Sequence, residues 1–323
     1  MTARTAVVFV ILKFMKEYFL PEEDGHIVSF TEHGNPDGPA ILSFHGGPGS
    51  KSKPQHAERY DLAKNRVILF DQRGCGKSTP IGKLESNTTE NTLKDVERIR
   101  VQLGIDKWFV SGASWGSTLA LLYAIQNPER VRGLLIAAVF LADRDSISWA
   151  MADTKGVARL MPDVWAKRMD FFMRFNIRVE TQNEDLLKLL QESDPEKQKQ
   201  ISAGIQDWEG NLFSSQSSVS YKDPAEISEA DIASTKVFVH YEANHEFIPD
   251  NYILDNAGKI ANIPTVIVHG RYDILCPMEK AQALKEKISN CELVIATSSG
   301  HKLTAEGETI QKMAYDRFLE RHV

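Results

Sequence analysis

The sequence is poor in cysteine, in net positive charge and in long apolar runs, and each shortage removes a class of protein. Its 323 residues hold three cysteines, Cys75, Cys276 and Cys291. An odd number at wide spacing forms neither a disulfide framework nor a zinc pattern, and suits a reducing compartment, so a cytoplasmic protein is expected. Lys and Arg number 38 against 44 Asp and Glu, a net charge of −6, so no basic field exists to draw in nucleic acid. The apolar run near the N-terminus, Ala6 to Leu12, is seven residues long, too short to span a bilayer. It has the size of an export-signal core, but Lys13-Phe14-Met15-Lys16-Glu17 follows in place of a small-x-small cleavage site. An N-terminal extension packed on the domain, or an upstream start before Met15, is the expected reading. No internal repeat occurs, and low complexity is confined to Ser214–Ser220.

Two further patterns fail on inspection. Gly76-Lys77-Ser78 resembles the end of a phosphate-binding loop, but Asp71 stands where that loop needs its first glycine, and Thr79-Pro80 stops a following helix. His240 and His245 lack a third ligand nearby, and His245-Glu246 does not continue as H-E-x-x-H. Neither a nucleotide cofactor nor a metal is expected. Cys75 reads as a buried or loop thiol.

What is present is alternation. Short apolar runs at His26–Glu32, Ala40–Phe44, Arg66–Phe70, Trp108–Val110 and Val131–Val139 read as strands. Helical patterns fall between them, at Pro54–Lys64, at Thr88–Leu103 with Leu93, Val96, Ile99 and Leu103 on one face, and after Ser114. The alternation then stops. From Leu141 to Asn256 the segments are helical, with one weak strand candidate at Val237–His240. It resumes with strand Thr265–Val268, helix Met278–Ile288, strand Cys291–Ala296 and helix Thr304–His322. Alternating strands and helices indicate a parallel sheet covered on both faces. A helical insertion, residues 141–256, divides that α/β domain into parts 1–140 and 257–323.

One stretch organises the chain: strand Trp108–Val110, then Gly112-Ala113-Ser114-Trp115-Gly116, then a helix closed by Asn127-Pro128. Strand, G-x-S-x-G and helix describe a turn that holds a serine hydroxyl clear of the sheet at a helix N-terminus. A serine hydroxyl is a poor nucleophile without a base, and the base needs an acid to hold it. Asp273 follows strand Thr265–Val268 and His301 follows strand Cys291–Ala296, so both fall at the sheet edge that carries Ser114. Ser114, Asp273 and His301 are therefore the expected catalytic set. The backbone N–H of Trp115, directly after the serine, and that of Gly47 in His45-Gly46-Gly47-Pro48-Gly49 are the expected oxyanion donors.

With these residues assembled, the sequence resembles the proline iminopeptidases, serine peptidases of the α/β-hydrolase fold. The resemblance rests on His45-Gly-Gly-Pro-Gly49, Asp71-Gln-Arg-Gly-Cys-Gly-Lys-Ser78, Ser114-Trp-Gly-Ser-Thr-Leu-Ala-Leu121, His269-Gly-Arg-Tyr-Asp273 and Gly300-His301, and covers the chain from about Asp24. It implies a mostly parallel sheet with helices on both faces and a helical cap inserted after the sixth strand. It implies that Glu209, in Trp208-Glu209-Gly210, binds the substrate's free amino group. A second glutamate is Glu242, with Glu246 as competitor, because Glu242-Ala-Asn-His245-Glu-Phe247 carries one residue more than the family segment. Phe140, Phe247 and Cys276 would line the proline pocket. Ala150-Met151, Ile205 and Ala113 depart from the family's aromatic, tryptophan and glycine at those positions.

The expected activity is release of an N-terminal residue, preferably proline, from short peptides through an acyl-enzyme. It needs no cofactor, metal, nucleic acid or membrane, and the oligomeric state is open. One alternative keeps the triad and acts on a non-peptide ester, amide or lactone through a remodelled cap. Another is a hydrolase-fold binding protein or receptor whose chemistry is vestigial.

Overall fold

The computed structural model describes residues 15–151, 156–213 and 219–323. The run Ala6–Leu12 and most of the Ser214–Ser220 tract lie outside the described residues. Eight strands form one sheet: β1 (Met15–Phe19), β2 (Ser29–Gly34), β3 (Ala40–Phe44), β4 (Arg66–Phe70), β5 (Trp108–Ser114), β6 (Val131–Val139), β7 (Thr265–Gly270) and β8 (Cys291–Ala296). Their order is β1-β2-β4-β3-β5-β6-β7-β8. The pairs β1–β2 and β2–β4 are antiparallel, and every pair from β4 to β8 is parallel.

The parallel strands alternate between two cores. Leu42, Ile68, Leu134 and Ile267 face one, and their neighbours Ile41, Val67, Leu135 and Val266 face the other. This is the period-2 geometry of a strand buried on both sides. Helices α1 (Thr89–Gln102), α2 (Trp115–Gln126) and the later Met278–Lys287 supply Leu93, Val96, Leu119, Ala281 and Leu284 to the first core. The C-terminal helix Ala305–His322 supplies Tyr315 and Phe318 to the second. Thr88 caps α1 by accepting the Asn91 N–H.

Between β6 and β7 the chain runs through α3 (Arg144–Met151), α4 (Pro162–Phe175), α5 (Gln182–Glu192), α6 (Pro195–Phe213) and α7 (Glu229–Ala243). They bury clusters of their own, one around Phe171, Phe172, Leu190 and Ile201, another around Val157, Val164, Trp208 and Leu212. The second reaches Ile274 and Leu275 in the loop after β7, and Trp149 Nε1 donates to the Ile274 carbonyl at 2.8 Å. Among the described residues, no helix is long and apolar enough to cross a membrane.

Three local expectations are corrected. Val237–His240 is not a strand but part of α7, launched by a capping box between Ser228 and Asp231. Its alternation arises because α7 is wedged between two cores: Val237 and Tyr241 pack on the sheet side, Val239 on the side of the other inserted helices. The first expected strand begins later, at Ser29; His26 and Ile27 make only isolated bridges to Glu23 and Thr79. Edge strand β1, with a mostly exposed Met-Lys-Glu-Tyr-Phe pattern, has no alternation to betray it. The helix expected over Pro54–Lys64 is a 3₁₀ turn that ends at Arg59.

Candidate active site

Strands β3, β5, β6, β7 and β8 all run the same way, so the loops after them meet at one sheet edge. That edge gathers the glycine loop after β3, Ser114 at the end of β5, Phe140 after β6, Asp273 after β7 and His301 after β8.

Ser114 sits at φ 58°, ψ −131°, a strained region for a side chain. The strain is tolerated because strand and helix close tightly around it. A Cβ on Gly112 would lie 1.9 Å from the Gly116 carbonyl oxygen, and one on Gly116 would lie 2.5 Å from that of Phe44. Only glycine fits at either place. Trp115 opens α2, so its backbone N–H is among those with no partner inside the helix. Its indole is fully buried, donates to Gln72 Oε1 at 2.9 Å and meets the Tyr241 ring edge-on. Gln72 in turn donates to the His45 carbonyl at 2.9 Å. The Asp71-Gln72-Arg73 segment thus ties the glycine loop to the serine turn. Beneath it Arg73 and Asp95, both buried, form an ion pair at 2.7 Å. Gly47, at φ +118°, precedes a cis Gly47–Pro48 bond and lines the same pocket as Ser114.

Asp273 and His301 are held independently of the serine. Asp273 is buried; its Oδ1 accepts the N–H groups of Leu275 at 3.1 Å and Cys276 at 2.7 Å, and its Oδ2 lies 2.9 Å from His301 Nδ1. The imidazole of His301 is thereby fixed with Nδ1 toward Asp273, which leaves Nε2 on the opposite edge of the ring. Among the described residues no hydrogen bond joins Ser114 Oγ to His301, a looseness common in sites without substrate. The Phe213 ring, at the end of α6, lies 5.3 Å from the His301 ring, and the Phe213 carbonyl accepts the Lys302 N–H at 2.7 Å. A second histidine, His269, is near Asp273 but faces inward. It accepts from the Val139 N–H and donates Nε2–H to the Cys276 carbonyl, and burial lowers its pKa. Asp273, Cys276 and His301 also approach within 4.8 Å of one another, as metal ligands would. Burial, then Asp273, raises the Cys276 thiol well above its usual range.

Beside Ser114 lies a small pocket of about 50 Å³, lined among others by Gly47, Phe140, Ala150, Met151, Trp208 and Cys276. Glu209 and Glu242 enter it from α6 and α7. Burial, then the neighbouring Glu242, pushes Glu209 up to about 8. Burial pushes Glu242 up to about 7, against the pull of Arg168 and a 3.4 Å hydrogen bond from Asn183. An ammonium placed beside two carboxyls raised in this way would supply the charge they lack. Arg168 stands behind them, buried between the Phe172 and Trp208 rings at 4.8 and 4.7 Å and donating to Gln182 at 2.6 Å. Burial lowers it to about 9 despite both glutamates. No motif marks Arg168; its one signal is a charge on the apolar stripe of α4, four residues after Val164 and three before Phe171.

The pocket takes in Phe140 and Cys276 of the expected lining residues, but not Phe247, whose ring packs on His240 and Tyr241. Of the competing glutamates it takes in Glu242. Glu246 is buried behind it at φ 52°, with neither carboxylate oxygen hydrogen-bonded among the described residues. Burial, then Glu242, pushes Glu246 up to about 10. Such a group is neutral in the folded protein and ionises once unfolded above its ordinary value of about 4.3, so it weakens the fold increasingly as pH rises from there towards 10. Glu246→Met, which removes the two unpaired oxygens, is expected to stabilise the fold by about 1–3 kcal/mol at pH 7. The gain should shrink at pH 4. Denaturation midpoints at the two pH values check both statements.

A two-faced, mostly parallel sheet with a serine, an acid and a histidine along its carboxyl edge defines an α/β hydrolase. The family model for the alpha/beta hydrolase fold matches residues 39–308. Among curated proteins, a probable proline iminopeptidase of Leptolyngbya boryana is 36% identical over 293 residues, 89% of each chain. The proline iminopeptidase of Arabidopsis thaliana is 36% identical over 289 residues, 89% of this chain and 75% of the relative. That of a serogroup A strain of Neisseria meningitidis is 36% identical over 292 residues, 88% and 89% of the two chains. The chain belongs to the proline iminopeptidase family. Solved structures share the fold at lower identity: an alpha/beta-fold hydrolase from Bacillus anthracis aligns with a TM-score of 0.62 at 18% identity, over 96% of this chain and 99% of that one. A haloalkane dehalogenase from Agrobacterium tumefaciens aligns with a TM-score of 0.62 at 16% identity, over 96% and 98%.

Proposed function

We propose that the protein is a serine aminopeptidase that releases an N-terminal residue, preferably proline, from short peptides. The observation that carries this reading is the pair Glu209 and Glu242 in the small pocket beside Ser114. An esterase or lactonase acting on a neutral molecule has no use for two carboxyls there, whereas an aminopeptidase must neutralise an ammonium. The intact acid–base pair and strained serine turn speak against a vestigial site.

In this reading Ser114 Oγ attacks the carbonyl carbon of the first residue while His301 Nε2 takes its proton. Asp273 holds the imidazole tautomer and stabilises its charge. The N–H groups of Trp115 and Gly47 hold the oxyanion. His301 then gives its proton to the departing peptide nitrogen, and water, deprotonated by the same imidazole, hydrolyses the acyl-enzyme. Phe140, Trp208 and Cys276 enclose the side chain of the first residue. Ala150 and Ile205 stand where the resemblance puts bulkier groups, and Ile205 lies in the neighbouring cluster with Phe171 and Ile201. The helices between β6 and β7 serve as the cap, residues 141–256, over a core formed by 1–140 and 257–323. The three free cysteines favour the cytoplasm. A pair of substrates that differ only in the amine, prolyl- and N-acetylprolyl-arylamide, tests the reading: the first should be cleaved and the second refused.

A further inference from the structure

A second and larger cavity reaches His301 and the residue before Ser114. It holds about 610 Å³ and is lined by His301, by Ala113 just before the nucleophile, and by residues of the 3₁₀ turn Pro54–Arg59 and the C-terminal helix. Ser114 and the two glutamates line the small pocket, and His301 lines the large one. This division has a chemical meaning. The histidine protonates the leaving nitrogen, so the leaving group must lie on the histidine's side. A space of about 50 Å³ accepts a small acyl residue, whereas about 610 Å³ is in the range of a whole ligand site.

The charges are arranged in the same sense. Lys302, next to His301, and Arg59 line the large cavity, and among the described residues neither has an ion pair. Lys312 lines it too but is paired with Asp316 at 3.4 Å. Two carboxylates, Glu58 and Glu308, also line it, and among the described residues they too have no ion pair; both are exposed, as is Lys302, whereas Arg59 is half-buried and less screened. His56 beside them is pushed down to about 4 by burial and then by Arg59, so it is neutral at pH 7 and adds no charge. A short peptide carries an ammonium at one end and a carboxylate at the other. The small pocket presents acids to the first, and the large cavity presents the half-buried Arg59, with Lys302 beside His301, to the second.

We propose that the large cavity is the leaving-group side of the site, that it takes the peptide C-terminal to the scissile bond, and that Arg59 and Lys302 bind that peptide's free carboxylate. The proposal rests on the aminopeptidase reading and adds a substrate class: di- and tripeptides with an unblocked C-terminus.

The test compares prolyl-glycyl-glycine with its C-terminal amide, and prolyl-arylamide with both. The wild-type protein should favour the free acid by about five-fold in kcat/KM, the effect of one partly exposed ion pair. In Arg59→Met/Lys302→Met the ratio of acid to amide should fall to about one. The ratio cancels any general loss of activity, and the wild-type comparison decides even where the double variant does not fold. Equal rates for acid and amide in the wild type would overturn the proposal, and cleavage of prolyl-arylamide in the same experiment would show the aminopeptidase reading intact. Survival of the preference in a folded double variant would overturn it as well. Failure to cleave any of the three would remove the aminopeptidase reading and this proposal with it.

Discussion

Ser114→Ala should lower turnover by about ten-thousand-fold or more, the loss typical when a triad nucleophile is removed. The fold should survive unchanged. The strain at Ser114 lies in the backbone and is imposed by Gly112 and Gly116, so an alanine Cβ occupies the same place as the serine Cβ. Among the described residues the serine hydroxyl makes no hydrogen bond whose loss would destabilise the protein. Thermal unfolding should therefore be unaltered while turnover disappears, and a fluorophosphonate should label the wild type but not the variant. Turnover within ten-fold of wild type would mean that the triad is misassigned.

Glu209→Gln should separate substrates by whether they carry an amine. Glutamine fills the same volume, so the pocket keeps its shape and loses one negative charge. For a free aminoacyl-arylamide, kcat/KM should fall about 100-fold, which corresponds to about 3 kcal/mol for breaking one buried charge pair. A simple aryl ester without an amine should keep its rate. The pH profile should move too. Glu209 is pushed up to about 8 and Glu242 to about 7, so the ionised form that binds an ammonium becomes more populated as pH rises through 7 to 8. Amide turnover should climb across that window in the wild type, and the part of the climb near 8 should be missing in the variant. An equal loss on amide and ester would show that Glu209 supports the structure without reading the amine.

The sheet and its carboxyl edge were legible in the sequence because burial on both faces writes itself as short continuous apolar runs, as in Ala40–Phe44 and Thr265–Val268. The serine turn was legible because its geometry admits few residues: the close approaches at Gly112 and Gly116 leave no room for a side chain. The order serine, acid, histidine picked out Asp273 and His301, which the fold brings to 2.9 Å of each other, without any contact information. Other features carried no local signature. Strand β1 is an exposed edge. Helix α7 is buried against two cores, so its apolar residues lost the 3.6 period and imitated a strand. Arg168 is set by what surrounds it in space, the rings of Phe172 and Trp208, and sequence spacing records only one of them. The choice between Glu242 and Glu246 likewise needed three dimensions. The extra residue in that segment leaves the alignment open, but the end of α7 turns Glu242 into the pocket, and the positive-φ residues His245, Glu246 and Phe247 carry the next glutamate behind it.

In the proposed function the small pocket reads a free N-terminal amine for a serine nucleophile. The most direct measurement is hydrolysis of prolyl-arylamide beside N-acetylprolyl-arylamide by the purified protein, with alanyl, leucyl and phenylalanyl arylamides in the same panel. Cleavage of the free amine with the acetylated compound refused, and proline preferred, is the expected result. Equal cleavage of the free and acetylated compounds would contradict the claim, because Glu209 and Glu242 would then have no amine to recognise.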